Sequence, residues 1–195
     1  VSRAAVGDEV RREDTRPVVL FLGTSLTAGY GLPESEAFPA RIQARIDAAG
    51  LDYRVVNAGV GGYDGLQPVR MAEHVLATRR FPTLLYVMCY NDFRLSTGFE
   101  PDLIGIMDRL EAIRREHGAR VVVLFTVPLR YAAHDVLLKD TRRVKAILAL
   151  RNAVRKQCRK RRVELVDSVG LAYAAQQQSG SLFGRFALYF DDCHF

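Results

Sequence analysis

The sequence of 195 residues has no tryptophan and only three cysteines, Cys89, Cys158 and Cys193. An odd number of cysteines without a C-x-x-C pair argues against both a disulfide framework and a structural zinc site, so all three read as small buried hydrophobes. No apolar run approaches the roughly 18 to 20 residues that span a bilayer, and the charged opening VSRAAVGDEVRREDTR lacks the apolar centre of a signal peptide. Residues 1–16 are therefore expected to be a solvated lead-in to a single domain over 17–195. Neither G-x-G-x-x-G nor G-x-x-x-x-G-K-S/T occurs, which removes the usual phosphate-cradling loops. Internal repeats and low-complexity tracts are absent as well. The first residue is Val1 rather than Met; a periplasmic or secreted location is expected if a leader precedes it, and a cytoplasmic one otherwise.

What is present is an ordinary globular composition, 49% hydrophobic and 26% charged, with a net charge of +6 placed unevenly. Eleven of the 28 Lys and Arg fall in Lys139–Arg162 beside a single acid, so elsewhere the remaining 21 acids outnumber 17 basic residues. Within that stretch Val144, Ile147, Leu148, Val154 and Cys158 recur at helical spacing, which predicts an amphipathic helix whose polar side carries the cations. Such a face is ordinarily just solvated, with a weak contact to an anionic membrane as the alternative. Nucleic acid is not expected, because no aromatic residues are interleaved for base stacking.

Five strand-like runs stand out: Val18–Leu22, Tyr53–Asn57, Thr83–Cys89, Arg120–Val127 and Val163–Val166. Most are apolar throughout rather than alternating, the pattern of strands covered on both faces. Between them lie helix-like stretches at Pro39–Ala49 before Gly50, Gln67–Arg79, Asp102–His117 before Gly118, and the basic segment. Strand and helix alternate, which predicts a doubly wound parallel α/β sheet of about five strands in a three-layer, flavodoxin-like sandwich. In such sheets ligands bind beyond the carboxyl ends of the strands. Those ends carry Gly23-Thr24-Ser25, Asn57-Ala58-Gly59-Val60-Gly61-Gly62 and Cys89-Tyr90-Asn91-Asp92, and the segment after the fifth strand reaches Asp191-Asp192-Cys193-His194.

A serine directly after a strand is a good helix cap, but it is also a candidate nucleophile if a base and an orienting group are supplied. Of the four histidines, His74 and His117 fall in helix-like stretches and His134 in a connection. His194 has Asp191 three residues before it, a spacing that lets a carboxylate reach Nδ1–H and leaves Nε2 to face Ser25. Asp192 is the alternative orienter, and Cys193 a remote rival nucleophile. Donors for a developing oxyanion are available in the Ser25 N–H, the Gly62 N–H and the Asn91 side chain. The bland readings of the last two are a tight turn and a helix cap.

Over nearly its whole length the chain resembles the SGNH (GDSL-type) hydrolases, in four blocks in order. Gly23-Thr-Ser-Leu-Thr-Ala-Gly-Tyr-Gly-Leu32 is similar to the block with the nucleophilic serine. Asn57-Ala-Gly-Val-Gly-Gly62 and Asn91-Asp92 are similar to the blocks that furnish the oxyanion hole, and Asp191-x-x-His194 to the last. The resemblance implies ester or thioester hydrolysis through an acyl-serine on Ser25, with His194 as base, Asp191 as its orienter, and no metal or cofactor. It is most like the bacterial lysophospholipase and thioesterase branch, in which the stretch Phe93–Phe99 flanks the acyl pocket. Tyr90, beside Asn91, and Leu129, Tyr131, Val136 and Leu137, after the fourth strand, are candidates to line that pocket, with ordinary loop packing as the alternative for the last four.

Thr24 stands where the first block usually has Asp, and Cys89-Tyr90 where the third usually has glycine. The first change removes a negative charge beside the nucleophile and the second adds bulk beside Asn91. The family continues past its last block into a final helix, whereas this sequence stops at Phe195, so a domain without that helix is expected. Two other readings stand beside the lipid-like esterase: a carbohydrate or small-molecule deacetylase on the same fold, and a non-catalytic binding module on a lapsed hydrolase scaffold.

Overall fold

Val18–Gly23 (β1), apolar up to its closing glycine, lies between two other strands of a five-stranded sheet. A computed structural model describes residues 15–77, 81–89, 92–93, 98–126 and 141–168, without the side chains of 141–144. The other strands are Arg54–Gly59 (β2), Thr83–Cys89 (β3), Arg120–Thr126 (β4) and Glu164–Asp167 (β5). The order is β2-β1-β3-β4-β5 and every pair is parallel. The helices are Ser25–Ala28 (α1), Phe38–Ala48 (α2), Leu66–Leu76 (α3), Glu100–His117 (α4) and Thr141–Arg161 (α5).

Alternate residues of the strands face a core closed by α3, α4 and α5. Leu20 and Leu22 of β1, Leu84, Tyr86 and Met88 of β3, and Val121, Val123 and Phe125 of β4 meet Val69, Ala72, Leu103, Ile106, Leu110, Leu150 and Val154 from the helices. Burying a side chain of this size contributes about 1.5 to 3 kcal/mol, so this layer dominates stability. The opposite face of β1 packs on α2 through Phe21 and Phe38, whose rings meet edge to face at 5.6 Å. The result is the expected three-layer sandwich.

Local boundaries shift for identifiable reasons. β2 runs on to Gly59 rather than stopping at Asn57, because its two extra residues stay in register with Leu22 and Gly23 of β1. α4 ends as its sequence dictates: Gly118 adopts φ 64°, the left-handed conformation that terminates a helix. In α5 the buried stripe is Ile147, Leu150, Val154 and Cys158, and Leu148, expected on it, is 47% exposed. Steps of three, four and four residues define that stripe, and Leu148 falls about 100° off it. The stripe ends on Arg161, which is buried and ion-paired with Asp108 and Glu111 of α4. Burial also pushes the Cys158 thiol up to about 11, so it behaves as the small hydrophobe expected of it, as does buried Cys89.

Candidate active site

The strand order reverses direction between β1 and β3, and the crevice beyond their carboxyl ends is where such a sheet binds ligands. Ser25 follows β1 by one residue and begins α1. It is not the cap of that helix: Thr24 holds the cap position, its side chain making no capping bond, while its carbonyl accepts the Ala28 N–H at 3.0 Å. The turn is closed by Gly29 at φ 76°, and the Ser25 carbonyl accepts the Tyr30 N–H at 3.0 Å. Ser25 is half-buried, while Thr24 and Thr27 beside it are buried.

Two glycines let this turn sit where it does. A Cβ on Gly23 would lie 2.1 Å from Thr27 Oγ1, and one on Gly59 would lie 2.3 Å from the Ala28 nitrogen. The end of β2 is thus pressed against the backbone of α1, and the Val60 N–H donates to the Gly23 carbonyl at 3.1 Å. Beyond it the chain turns through Gly62, at φ 80°, a conformation that favours glycine. Asp64 and Gln67 then cap α3 reciprocally. The Asp64 N–H donates to Gln67 Oε1 at 2.8 Å, and the Gln67 and Leu66 amides donate to Asp64 Oδ1 at 3.2 and 3.1 Å.

The end of β3 is tied to the same turn by a buried polar cluster that sequence reasoning did not single out. Asp92 Oδ2 accepts the Cys89 N–H at 2.8 Å, bridging the two flanks of Tyr90-Asn91. Tyr86 Oη donates to the Gly65 carbonyl at 2.8 Å. Burial pushes the Asp92 carboxyl up to about 7, and burial with the nearby Asp92 raises the Tyr86 phenol well above its ordinary value. The available signal was an acid three residues past an apolar strand that itself contains a tyrosine, since buried polar groups need partners.

Of the residues predicted for the site, Ser25 and Gly62 both stand at the carboxyl edge of the sheet, after β1 and β2 respectively. Phe93 is buried at 6% exposure and joins the hydrophobic core. Tyr90, Asn91, Leu129, Tyr131, Asp191 and His194 lie outside the described residues, as do Asp192, Cys193, Val136 and Leu137. His74 and His117 occupy the last turns of α3 and α4, which lead into the amino ends of β3 and β4. A seven-residue strand separates each from the edge with Ser25, about 20 Å, so neither serves as its base. An apolar cavity of about 430 Å³ opens on the α2 side of the sheet, lined by Leu26, Phe38, Val87, Leu124, Thr126 and Ser168 among others. Leu26 directly follows the serine.

Comparison with known proteins agrees with this architecture. The model of the GDSL-like Lipase/Acylhydrolase family matches residues 21–195. AlinE4, an SGNH-hydrolase family esterase, superimposes with a TM-score of 0.56 at 24% identity, over 77% of this chain and 75% of its own. The acetyl xylan esterase AlAXEase reaches a TM-score of 0.66 at 19% identity, over 91% of both chains. The psychrotrophic esterase EstA from Pseudoalteromonas sp., solved inhibited by monoethylphosphonate, reaches 0.59 at 18% identity, over 86% of this chain and 85% of its own. A search of curated protein sequences finds no match.

Proposed function

Because the chain belongs to the GDSL-like lipase/acylhydrolase family, a family of ester hydrolases, we propose that it cleaves carboxylic esters or thioesters by acyl transfer to Ser25. In this reading His194, oriented by Asp191, takes the Ser25 proton as Oγ attacks the acyl carbon. The oxyanion rests on the N–H groups of Ser25 and Gly62 and on the Asn91 amide. His194 then returns the proton to the departing alcohol or thiol, and water, activated by the same imidazole, releases the acid and restores the serine. The observation that carries the reading is the setting of Ser25 on the turn after β1, braced by Gly59, at the point where the sheet reverses order.

Two acyl classes are consistent with that centre. The apolar cavity beginning at Leu26 favours a lipid-like acyl chain, since pockets of about 300 to 1,000 Å³ accept ligands of that size. A small acetyl group is favoured instead by the likeness to AlAXEase, an acetyl xylan esterase. Hydrolysis of p-nitrophenyl esters from acetyl to palmitoyl separates the two, a preference confined to acetyl excluding the lipid reading. Fluorophosphonate labelling mapped by peptide mass spectrometry tests the centre itself. Label on Ser25 is expected, and folded protein without it would return the chain to the class of binding modules.

The outward face of α5 presents Lys145, Lys156, Arg159 and Lys160, all exposed, whereas Arg151 and Arg155 are both tied to Asp167. We read that face, which makes no ion pair among the described residues, as suited to weak contact with an anionic membrane, where a lipid-like substrate would be met.

A further inference from the structure

Asp92 and Tyr86 form a buried polar pair that the acyl-transfer steps do not use; Tyr86 is 0% and Asp92 5% exposed. Tyr86 Oη donates to the Gly65 carbonyl at 2.8 Å, and Asp92 Oδ2 lies 3.5 Å from the same phenol oxygen. A phenol has one proton. With that proton on Gly65, the tyrosine oxygen can meet Asp92 only as an acceptor. An ionised carboxylate has nothing to donate to it, whereas a neutral acid does. The second oxygen, Asp92 Oδ1, is buried and has no hydrogen-bond partner among the described residues, which costs a charged carboxylate far more than a neutral one. Among the described residues the groups acting on Asp92 are Tyr86 and the Cys89 amide from β3 and the Asp64 carboxylate from the turn before α3, and none of these is a cation. From α4 the neighbour at this point is apolar, Ile106 reaching within 2.7 Å of where a Gly65 Cβ would lie.

We propose that Asp92 is a positioning residue that works as a neutral acid, donating to Tyr86 Oη and so latching the turn that carries Gly62 and Gly65 to the end of β3. The inference rests on the serine-hydrolase reading, because the latch affects turnover only if that turn serves the oxyanion. Burial, opposed by the Cys89 amide and the Tyr86 hydroxyl, holds the carboxyl at about 7, so the neutral form is present at and below neutrality and is lost above it. On ionisation the donated bond disappears and Asp92 repels the Asp64 carboxylate, freeing the turn.

The test is the pH dependence of kcat and KM for p-nitrophenyl acetate in the intact chain, with Asp92→Asn and Tyr86→Phe. Wild-type kcat is expected to fall about fivefold or more above pH 7 with KM unchanged. Asp92→Asn is uncharged at every pH and its amide can donate to Tyr86. It should keep kcat within about threefold at pH 6 and lose the alkaline decline. Tyr86→Phe removes the oxygen that receives the proton and should lower kcat about tenfold at pH 6, again at constant KM. A wild-type kcat level to pH 9, or a decline of equal size in Asp92→Asn, would overturn the proposal. Should Asp92→Asn not fold, an unchanged kcat in Tyr86→Phe overturns it equally. Failure of the underlying reading looks different: no variant turns over ester and Ser25 takes no fluorophosphonate. A labelled, active enzyme with an unaltered pH profile removes the latch alone.

Discussion

Gly59 abuts the backbone of α1 so closely that a Cβ there would lie 2.3 Å from the Ala28 nitrogen and 2.5 Å from the Thr27 carbonyl carbon. Neither atom belongs to a flexible side-chain end, so the strain cannot be relieved locally. Gly59→Ala is expected to destabilise the fold by about 2 to 4 kcal/mol and, by displacing the turn that holds Ser25, to lower kcat at least tenfold in the protein that still folds. Urea unfolding and esterase assay at a permissive temperature check both; a stable, fully active alanine variant would refute the bracing role.

The proposed acyl-transfer centre makes its own demand. Ser25→Ala and His194→Ala should abolish ester hydrolysis, and Asn91→Ala should lower kcat by about 10² to 10³ without unfolding the chain. Steady-state kinetics with circular dichroism of each variant is the measurement, and near-wild-type turnover in Asn91→Ala removes that amide from the oxyanion hole.

Leu124 lines the apolar cavity from β4 and is only partly buried, so a larger side chain there fills the cavity without overpacking the core. Leu124→Trp should therefore reduce octanoyl and longer-chain turnover about tenfold relative to acetyl, the loss of a few buried methylenes at about 0.8 kcal/mol each. An unchanged chain-length profile means the acyl group lies elsewhere.

Asp92 also fixes how stability changes with pH. Its carboxyl sits at about 7 in the fold against the ordinary 3.8, so between those values the native chain holds a proton that the unfolded chain has lost. Stability should fall as pH rises through about 4 to 7 and level off above, the whole effect amounting to at most about 4 kcal/mol. Urea titrations across that window, in wild type and Asp92→Asn, measure it; the asparagine variant should show the flatter dependence.

For the basic face, co-sedimentation with vesicles containing phosphatidylserine should be detectable at low ionic strength and be lost near 0.5 M salt. Reversing Lys156 and Lys160 to glutamate should abolish it while leaving p-nitrophenyl acetate hydrolysis intact. Binding that survives the reversal places the contact on another surface.

The alternation of apolar runs and helix-like stretches was legible because parallel strands are covered on both faces, and Thr83–Cys89 is bounded where the sequence indicates. The carboxyl edge as the place of Ser25 and Gly62 followed from the same pattern. What stayed hidden was long-range. Nothing local marks Leu148 as exposed beside buried Leu150, because the choice depends on where α4 lies. Nor does the sequence around Asp92 announce that Tyr86 and Gly65, from separate segments, will enclose it. Thr24 in the cap position was likewise obscured by the stronger cap signal of the serine after it.

The order β2-β1-β3-β4-β5 carries a consequence for synthesis. Parallel strands cannot pair as hairpins, so β1 gains its first neighbour only when residues 54–59 exist and its second only at 83–89. As the chain leaves the ribosome, Ser25 emerges long before either wall of its crevice, and no nascent fragment ending short of Cys89 can shelter it. Ser25 thus precedes both walls of its crevice in the chain, and that crevice is complete only when most of the sheet has been made.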